Sequence, residues 1–218
     1  MPDAVLFDLD GTLTDPAEGL TASFRHALAS VGSPVSEETD LTWMIGPPIR
    51  HNLTRFGLAT DLHDAAVAAF RERHLEVGLF EATLIPGIVE VLETLTTWGV
   101  PLALATAKPV RQAHITLDHF GLSHLFAGVA GVMTDGHAVG KDRIVADARH
   151  QLAMVGVEDV FMVGDRIHDI DGGRANGCTT VAVEWGFAEP GEMDAAAPDH
   201  RVAAPADLIA LFDRLRAS

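Results

Sequence analysis

The chain has 218 residues, of which 48% are hydrophobic and 21% charged, with a formal net charge of −16. That composition is globular and argues against disorder, and the length suffices for one sizeable core with a smaller attached domain. The acidic excess disfavours nucleic-acid polymers and anionic membranes as partners, which need clustered Lys and Arg, but leaves a small anionic substrate open because local fields govern its binding.

The run Ala4-Val5-Leu6-Phe7 is short and wholly apolar, which suits a buried strand of a parallel sheet. It leads into Asp8-Leu9-Asp10-Gly11-Thr12. Two carboxylates one residue apart at the end of such a strand are costly unless a cation or proton compensates them, and ligands of parallel sheets bind beyond the strand ends. Next, Asp15 reads as the N-cap of a helix with Pro16 in its first position and Glu18 as return partner; Leu20, Phe24, Leu28 and Val31 repeat at helical spacing up to Gly32. Ser36 reads as the cap of a second helix through Leu41 and Met44 to Gly46, where Pro47 and Pro48 block continuation. A third helix is expected to end at Gly57, and a fourth to start near Asp61 with Leu62, Ala66, Ala69 and Phe70 on one face.

From Pro86 onward, strands and helices alternate. Helices are predicted over 87–98, 109–120 and 142–154, then a short one ending at Asn176 and a last one from Pro205. Strands are predicted over 101–105, 126–132, 160–163 and 180–183, and the stretch around Asp194–Pro198 is read as a surface connection. The pattern implies an α/β fold, a doubly wound parallel sheet of Rossmann-like character, made by residues 1–14 and 85–218, with a small all-helical unit over 15–84 inserted early. Cys178 is the single cysteine, expected to be a packed, inert thiol; it excludes an internal disulfide framework and is compatible with a reducing compartment. No basic segment followed by a signal-type apolar core opens the chain and no apolar run reaches membrane-spanning length, so a cytoplasmic protein is expected.

Three further stretches fall at strand ends or helix starts, where side chains and free N–H groups converge on an anion. Thr106-Ala107-Lys108-Pro109 offers a hydroxyl and amides for phosphate oxygens, though a Thr there also serves as an ordinary cap; Lys108 either approaches the substrate or faces solvent. Lys141 opens a helix against the macrodipole, which makes sense if it holds phosphate; the alternative is a solvated lysine. Asp165 and Asp169, four apart after an apolar strand, can share one side of the turn and first helix and offer the hard oxygens that Mg²⁺ prefers. His168 and Asp171 are expected at the surface.

Together these stretches resemble the four motifs of the haloacid dehalogenase superfamily in its phosphatase form: Asp8-Leu9-Asp10-Gly11-Thr12, Thr106, Lys141, and Gly164-Asp165 with Asp169. The resemblance covers essentially the whole chain. It implies Asp8 as nucleophile, Asp10 as general acid and base, Thr106, Ala107 and Lys141 at the phosphate, and Mg²⁺ held by Asp8, the Asp10 carbonyl, Asp165 and Asp169. It also implies that the early insertion is a helical cap of the first type, used on small substrates; its Gly46-Pro47-Pro48-Ile49-Arg50 turn is the candidate specificity loop, with Arg50 reaching an anionic group or a base edge, or simply solvated. Asp142 replaces the proline that many relatives have after the third-motif lysine.

Dehalogenation is disfavoured because Asp10 and the Gly-Thr pair resemble the phosphatase form. Phosphonate hydrolysis is disfavoured because relatives with that chemistry place a cap lysine in the site, and no lysine precedes Lys108. The plan resembles phosphoglycolate phosphatases, with Ile45-Gly46-Pro47-Pro48, Gly140-Lys141 and Gly164-Asp165-Arg166 closer to their 5′-nucleotidase-like branch. The implied partner is a small phosphorylated metabolite, phosphoglycolate or a nucleoside monophosphate. A phosphomutase or phosphotransferase, and a phospho-acceptor regulatory module, remain the alternatives.

Overall fold

The structure is a computed structural model that describes residues 2–133, 139–152 and 158–217. Its chain falls into two compact units, residues 1–14 with 84–218, and residues 15–83.

The larger unit is built on a six-stranded parallel sheet: β1 (Ala4–Phe7), β4 (Leu102–Pro109), β5 (Gly128–Val132), β6 (Val160–Gly164), β7 (Thr179–Val183) and β8 (His200–Val202), in the order β5-β4-β1-β6-β7-β8. β1 therefore lies between β4 and β6, with Phe7 opposite Leu104 on one side and Val163 on the other. Alternation along a strand sends successive side chains to opposite faces. Val5 and Phe7 join one apolar layer with helices α4 (Ile88–Thr97), α5 (Val110–His119) and α9 (Pro205–Ala217). Ala4 and Leu6 join the other, with Ile144, Val145 and Ala148 of α6 (Lys141–Gln151). On that second face Ala182 also meets α7 (Ile167–Ala175) and α8 (Glu192–Ala196). A strand buried on both faces has no polar alternation to show, which is why β1 reads as an uninterrupted apolar run. Each fully buried Val, Leu or Phe stabilises the fold by roughly 1.5–3 kcal/mol.

The smaller unit holds α1 (Ala17–Ser30), α2 (Ile49–Phe56) and α3 (His63–Glu76), and the chain passes into and out of it through the two-residue strands β2 (Thr14–Asp15) and β3 (Thr83–Leu84). Phe24 of α1 is fully buried, with Trp43 and Phe56 set edge-on against it at 6.1 Å.

Several expectations need correction. α1 starts one residue later than expected: Pro16 is its N-cap, and Asp15 Oδ1 instead accepts from the Ala17 N–H at 2.9 Å. The helix expected from Ser36 to Gly46 does not form; only Thr42–Met44 makes a single 3-10 turn. Local polar groups win there. Asp40 Oδ1 accepts from both the amide and hydroxyl of Thr42, Ser36 Oγ accepts from the Glu38 amide, and the Arg25 guanidinium takes the carbonyls of Ser36 and Thr39. α3 begins at His63, after a 3-10 turn over Thr60–Leu62. β4 runs on past Ala105 to Pro109, with its register against β5 shifted between those two residues. The stretch read as a surface connection forms the short α8, anchored by buried Met193 and Ala196, and is followed by β8. α6 opens at Lys141 and closes at Gln151; the expected end at Met154 lies outside the described residues.

Candidate active site

The ends of β4, β1 and β6 lie side by side, so the segments leaving these three strands meet at one edge of the sheet. Asp8 extends the β1 pairing by one bond, its amide donating to the Val163 carbonyl at 2.9 Å. Gly11, at φ +90°, then turns the chain back so that its amide reaches the Thr14 carbonyl at 2.7 Å. Any larger residue at Gly11 would collide with Asp165, since a Cβ there would lie 2.3 Å from its Oδ2.

Asp8, Asp165 and Asp169 come together, with one carboxylate oxygen from each within 4.8 Å of the others, and all three are buried. Lys141 faces this group from the first turn of α6, its Nζ 2.8 Å from Asp8 Oδ1 and 2.6 Å from Asp169 Oδ1. The placement at a helix N-terminus is thus compensated by two carboxylates. Asp169 also accepts from the Arg166 amide at 2.9 Å, which satisfies the N-cap amide of α7. Asp165 has a different set of partners: the Phe187 amide at 2.8 Å and, at 3.4 Å, the Thr12 hydroxyl. No ion pair among the described residues includes Asp165.

Electrostatics follow this division. Burial, followed by the Asp169 and Asp8 charges, pushes Asp165 well above the usual carboxylate range. Burial also raises Asp169, opposed by Lys141. Burial works against the Lys141 ammonium, but the Asp169 and Asp8 carboxylates outweigh it and hold that lysine charged, above its ordinary range.

Asp10 stands apart. Its carboxylate is held by Lys108, whose Nζ lies 2.8 Å from Oδ1 and 2.6 Å from Oδ2, with a longer contact of 3.4 Å from the Thr14 hydroxyl. Lys108 is therefore a buried ion-pair partner and not a solvent-facing residue. Thr106 is buried, and its Oγ1 accepts from the Lys108 amide at 3.1 Å, which leaves the hydroxyl hydrogen to donate elsewhere. The side chain of Ala107 is exposed. Arg50 is at the surface of the smaller unit, ion-paired with Asp64. His168 and Asp171 are exposed, Asp171 pairing with Arg174 at 3.5 Å. Cys178 is buried and burial raises its thiol above the ordinary value, consistent with an inert packed side chain.

Sequence reasoning missed the segment after β7. Trp185 Nε1 donates to the Thr12 carbonyl at 3.1 Å, Gly186 packs on Asp165, and Glu192 takes Arg166 Nε at 2.9 Å and the amides of Ile167 and Glu189 at 2.8 Å. Nothing local marks these residues. A signal did exist for Lys108: the chain has only two lysines, Lys108 and Lys141, against thirteen arginines, and both lie in this site.

The donor set fits a hard divalent cation. Carboxylates Asp8, Asp10, Asp165 and Asp169 outnumber the two ammonium groups by two charges, and Asp165 is buried without an ion pair among the described residues, the Arg166 charge acting on it from farther away. Three buried carboxylates at this spacing supply the oxygen ligands such an ion takes.

A family model described as haloacid dehalogenase-like hydrolase matches residues 5–183. The tyrosine-protein kinase PtkA of Mycobacterium tuberculosis is 42% identical over 193 residues, 88% of this chain and 66% of that protein, so the chain spans just under two thirds of that relative's length. The solved structure of that protein superposes with a TM-score of 0.81 at 41% identity, covering 93% of this chain and 94% of the other. A 5′-nucleotidase of Pseudomonas aeruginosa is 38% identical over 95% of this chain and 92% of its own length. A phosphoglycolate phosphatase of Agrobacterium fabrum is 33% identical over 96% of this chain and 92% of its own. With its parallel sheet, its clustered carboxylates and these matches, the chain belongs to the haloacid dehalogenase-like hydrolases.

Proposed function

We propose that the chain is a Mg²⁺-dependent phosphatase that hydrolyses a small phosphomonoester through an aspartyl phosphate on Asp8. The observation that carries this reading is the separation of the carboxylates: Asp8 sits with Asp165, Asp169 and Lys141, while Asp10 is held apart by Lys108. A nucleophile and an acid need different surroundings, and the two sets supply them.

In the proposed reaction an Asp8 carboxylate oxygen bonds to phosphorus as the ester P–O bond breaks, and protonated Asp10 gives its proton to the departing oxygen. Asp10, now ionised, takes a proton from water as the water oxygen bonds to phosphorus and the Asp8–phosphorus bond breaks, which releases inorganic phosphate. Lys141, with the Thr106 hydroxyl and neighbouring amides, balances charge on the transferring group. A Mg²⁺ ion held by Asp8, Asp165 and Asp169 would neutralise phosphoryl oxygens beside them. Residues 15–83 act as a cap that selects the substrate and limits water. Phosphoglycolate and a nucleoside monophosphate are the substrates favoured, in keeping with the names of two relatives.

The test is phosphate release from a panel of phosphorylated metabolites with Mg²⁺, scored by kcat/KM, with Asp8→Asn as blank. Release that depends on Asp8 and is concentrated on one substrate class supports the proposal; release undiminished in Asp8→Asn refutes it. The kinase name of the Mycobacterium relative makes a second acceptor worth testing, namely a tyrosine hydroxyl in place of water. ATP labelled in its γ-phosphate separates the two, since transfer to a tyrosine-containing peptide would replace free phosphate as product.

A further inference from the structure

We propose that Lys108 is the positioning residue of Asp10, and that it sets how well the enzyme expels poor leaving groups. The inference rests on the reading of Asp10 as general acid and concerns a residue that the four motifs do not use.

Three observations carry it. First, the chain places arginine at every cationic position but two, and both lysines are buried. The Lys108 side chain is 5% exposed. An ammonium so far from water needs a carboxylate, and Asp10 is the one it has among the ion pairs described. Second, the backbone is shaped to deliver it. Between Ala105 and Pro109 the register of β4 against β5 shifts, and the Lys108 amide folds back onto Thr106 Oγ1. Gly131 of β5 makes room for this stretch, since a Cβ there would lie 2.5 Å from the Lys108 carbonyl oxygen and 3.2 Å from that of Thr106. Third, little else fixes Asp10. Its remaining side-chain hydrogen bond, from the Thr14 hydroxyl, is 3.4 Å long, whereas Lys108 holds both oxygens at 2.8 and 2.6 Å.

A compact ammonium on a flexible stem grips both oxygens from one point; a planar guanidinium would engage them through a wider fork and so hold the carboxyl in a different place. Without Lys108 the Asp10 carboxyl is free to rotate. The cost then falls on the step that needs its proton, departure of a poor alkoxide. A leaving group that is stable as an anion needs no such help.

The experiment compares kcat/KM for an alkyl phosphomonoester and for p-nitrophenyl phosphate, because that ratio of constants contains only steps up to the first irreversible bond cleavage. Both substrates are measured on one preparation, so the comparison does not depend on how much of a variant is folded. Lys108→Met is expected to lower kcat/KM about 100-fold on the alkyl ester and less than about fivefold on the aryl ester, with Lys108→Arg failing to restore it. In an Asp10→Asn background Lys108→Met is expected to cost nothing more. Equal losses on the two esters, or a further loss in the Asp10→Asn background, would overturn the proposal, since Lys108 would then act on the phosphoryl group or on the fold. If Asp10→Asn is steep between the esters while Lys108→Met is flat, this proposal alone fails. If Asp10→Asn is itself flat, the acid role of Asp10 fails and this proposal with it.

Discussion

Replacing Asp165 by Asn should make the metal-free protein more stable. Asp165 is fully buried, carries no ion-pair partner among the described residues, and shares a 4.8 Å cluster with Asp8 and Asp169. Two like charges at the 4.8 Å limit of that cluster repel by about 3 kcal/mol at an effective dielectric of about 20, so the two neighbours contribute at least roughly 6 kcal/mol. Lys141, which sits on both of those neighbours, and the Arg166 charge together cancel about half of it. The variant also weakens the charge-assisted bond from the Phe187 amide, by about 1 kcal/mol. A net gain of about 2 kcal/mol is expected in EDTA, read from the midpoint of urea unfolding at unchanged slope. Because the Asp165 carboxyl is pushed up, the gain is full above its folded value, where the native carboxylate is ionised, and fades as pH falls and that carboxylate protonates. Adding Mg²⁺ should invert the order: the native protein gains about 2.7 kcal/mol at a hundredfold excess over Kd, and the variant much less. A variant less stable than the native protein in EDTA, with an undiminished response to Mg²⁺, would refute the reasoning.

Three other outcomes are expected. Lys141→Met leaves Asp8 and Asp169 buried without their cation and should cost about 3–5 kcal/mol in chemical denaturation; a loss under about 1 kcal/mol would mean that the pair contributes little. Gly186→Ala puts a Cβ 2.2 Å from that of Asp165 and 2.5 Å from its Oδ2, so it should destabilise by about 1–3 kcal/mol and weaken the Mg²⁺-induced rise in Tm; an unchanged melting curve would show that the segment after β7 yields freely. Burial opposes ionisation of Glu192, but hydrogen bonds from Arg166, Glu189 and Ile167 outweigh it and hold its carboxyl below the ordinary 4.5. Its contribution is therefore present above that value and lost as pH falls through the lower folded one; the difference in stability between the native protein and Glu192→Gln should shrink on acidification, as followed by urea midpoints across pH.

What the sequence made legible is what a short segment decides by itself. β1 is buried on both faces and so is apolar throughout, and a parallel sheet presents its ligands at strand ends, which together single out Asp8. Asp165 and Asp169 follow the same logic on the neighbouring β6. Residues 36–46 mislead because the helical spacing of Leu41 and Met44 competes with the short polar side chains around them, and Asp40 and Ser36 take the amides that a helix would have used. Lys108 is ambiguous for another reason. Whether a residue near a strand end faces solvent or a partner depends on register, and β4 shifts its register at this point while packing closely on Gly131 of a different strand. The segment holding Trp185, Gly186 and Glu192 is silent because its partners, Thr12, Asp165 and Arg166, are distant in sequence and its bonds to the first two come mainly from backbone and from a tryptophan ring.

The two lysines divide the carboxylates of this edge of the sheet into separate sets. With the cations spread evenly, the four carboxylates would share one electrostatic environment. Instead Lys141 takes Asp8 and Asp169, and Lys108 takes Asp10 alone. Asp165 is left without an ion pair among the described residues, and the charge excess of two is the complement of one divalent ion. The formal charge of −16 thus extends into the site itself, where both ammonium groups are already paired with carboxylates. Arginine, wider and more rigidly forked, serves this chain at its other cationic positions, whereas at these two a lysine sets a single point of charge between carboxylate oxygens.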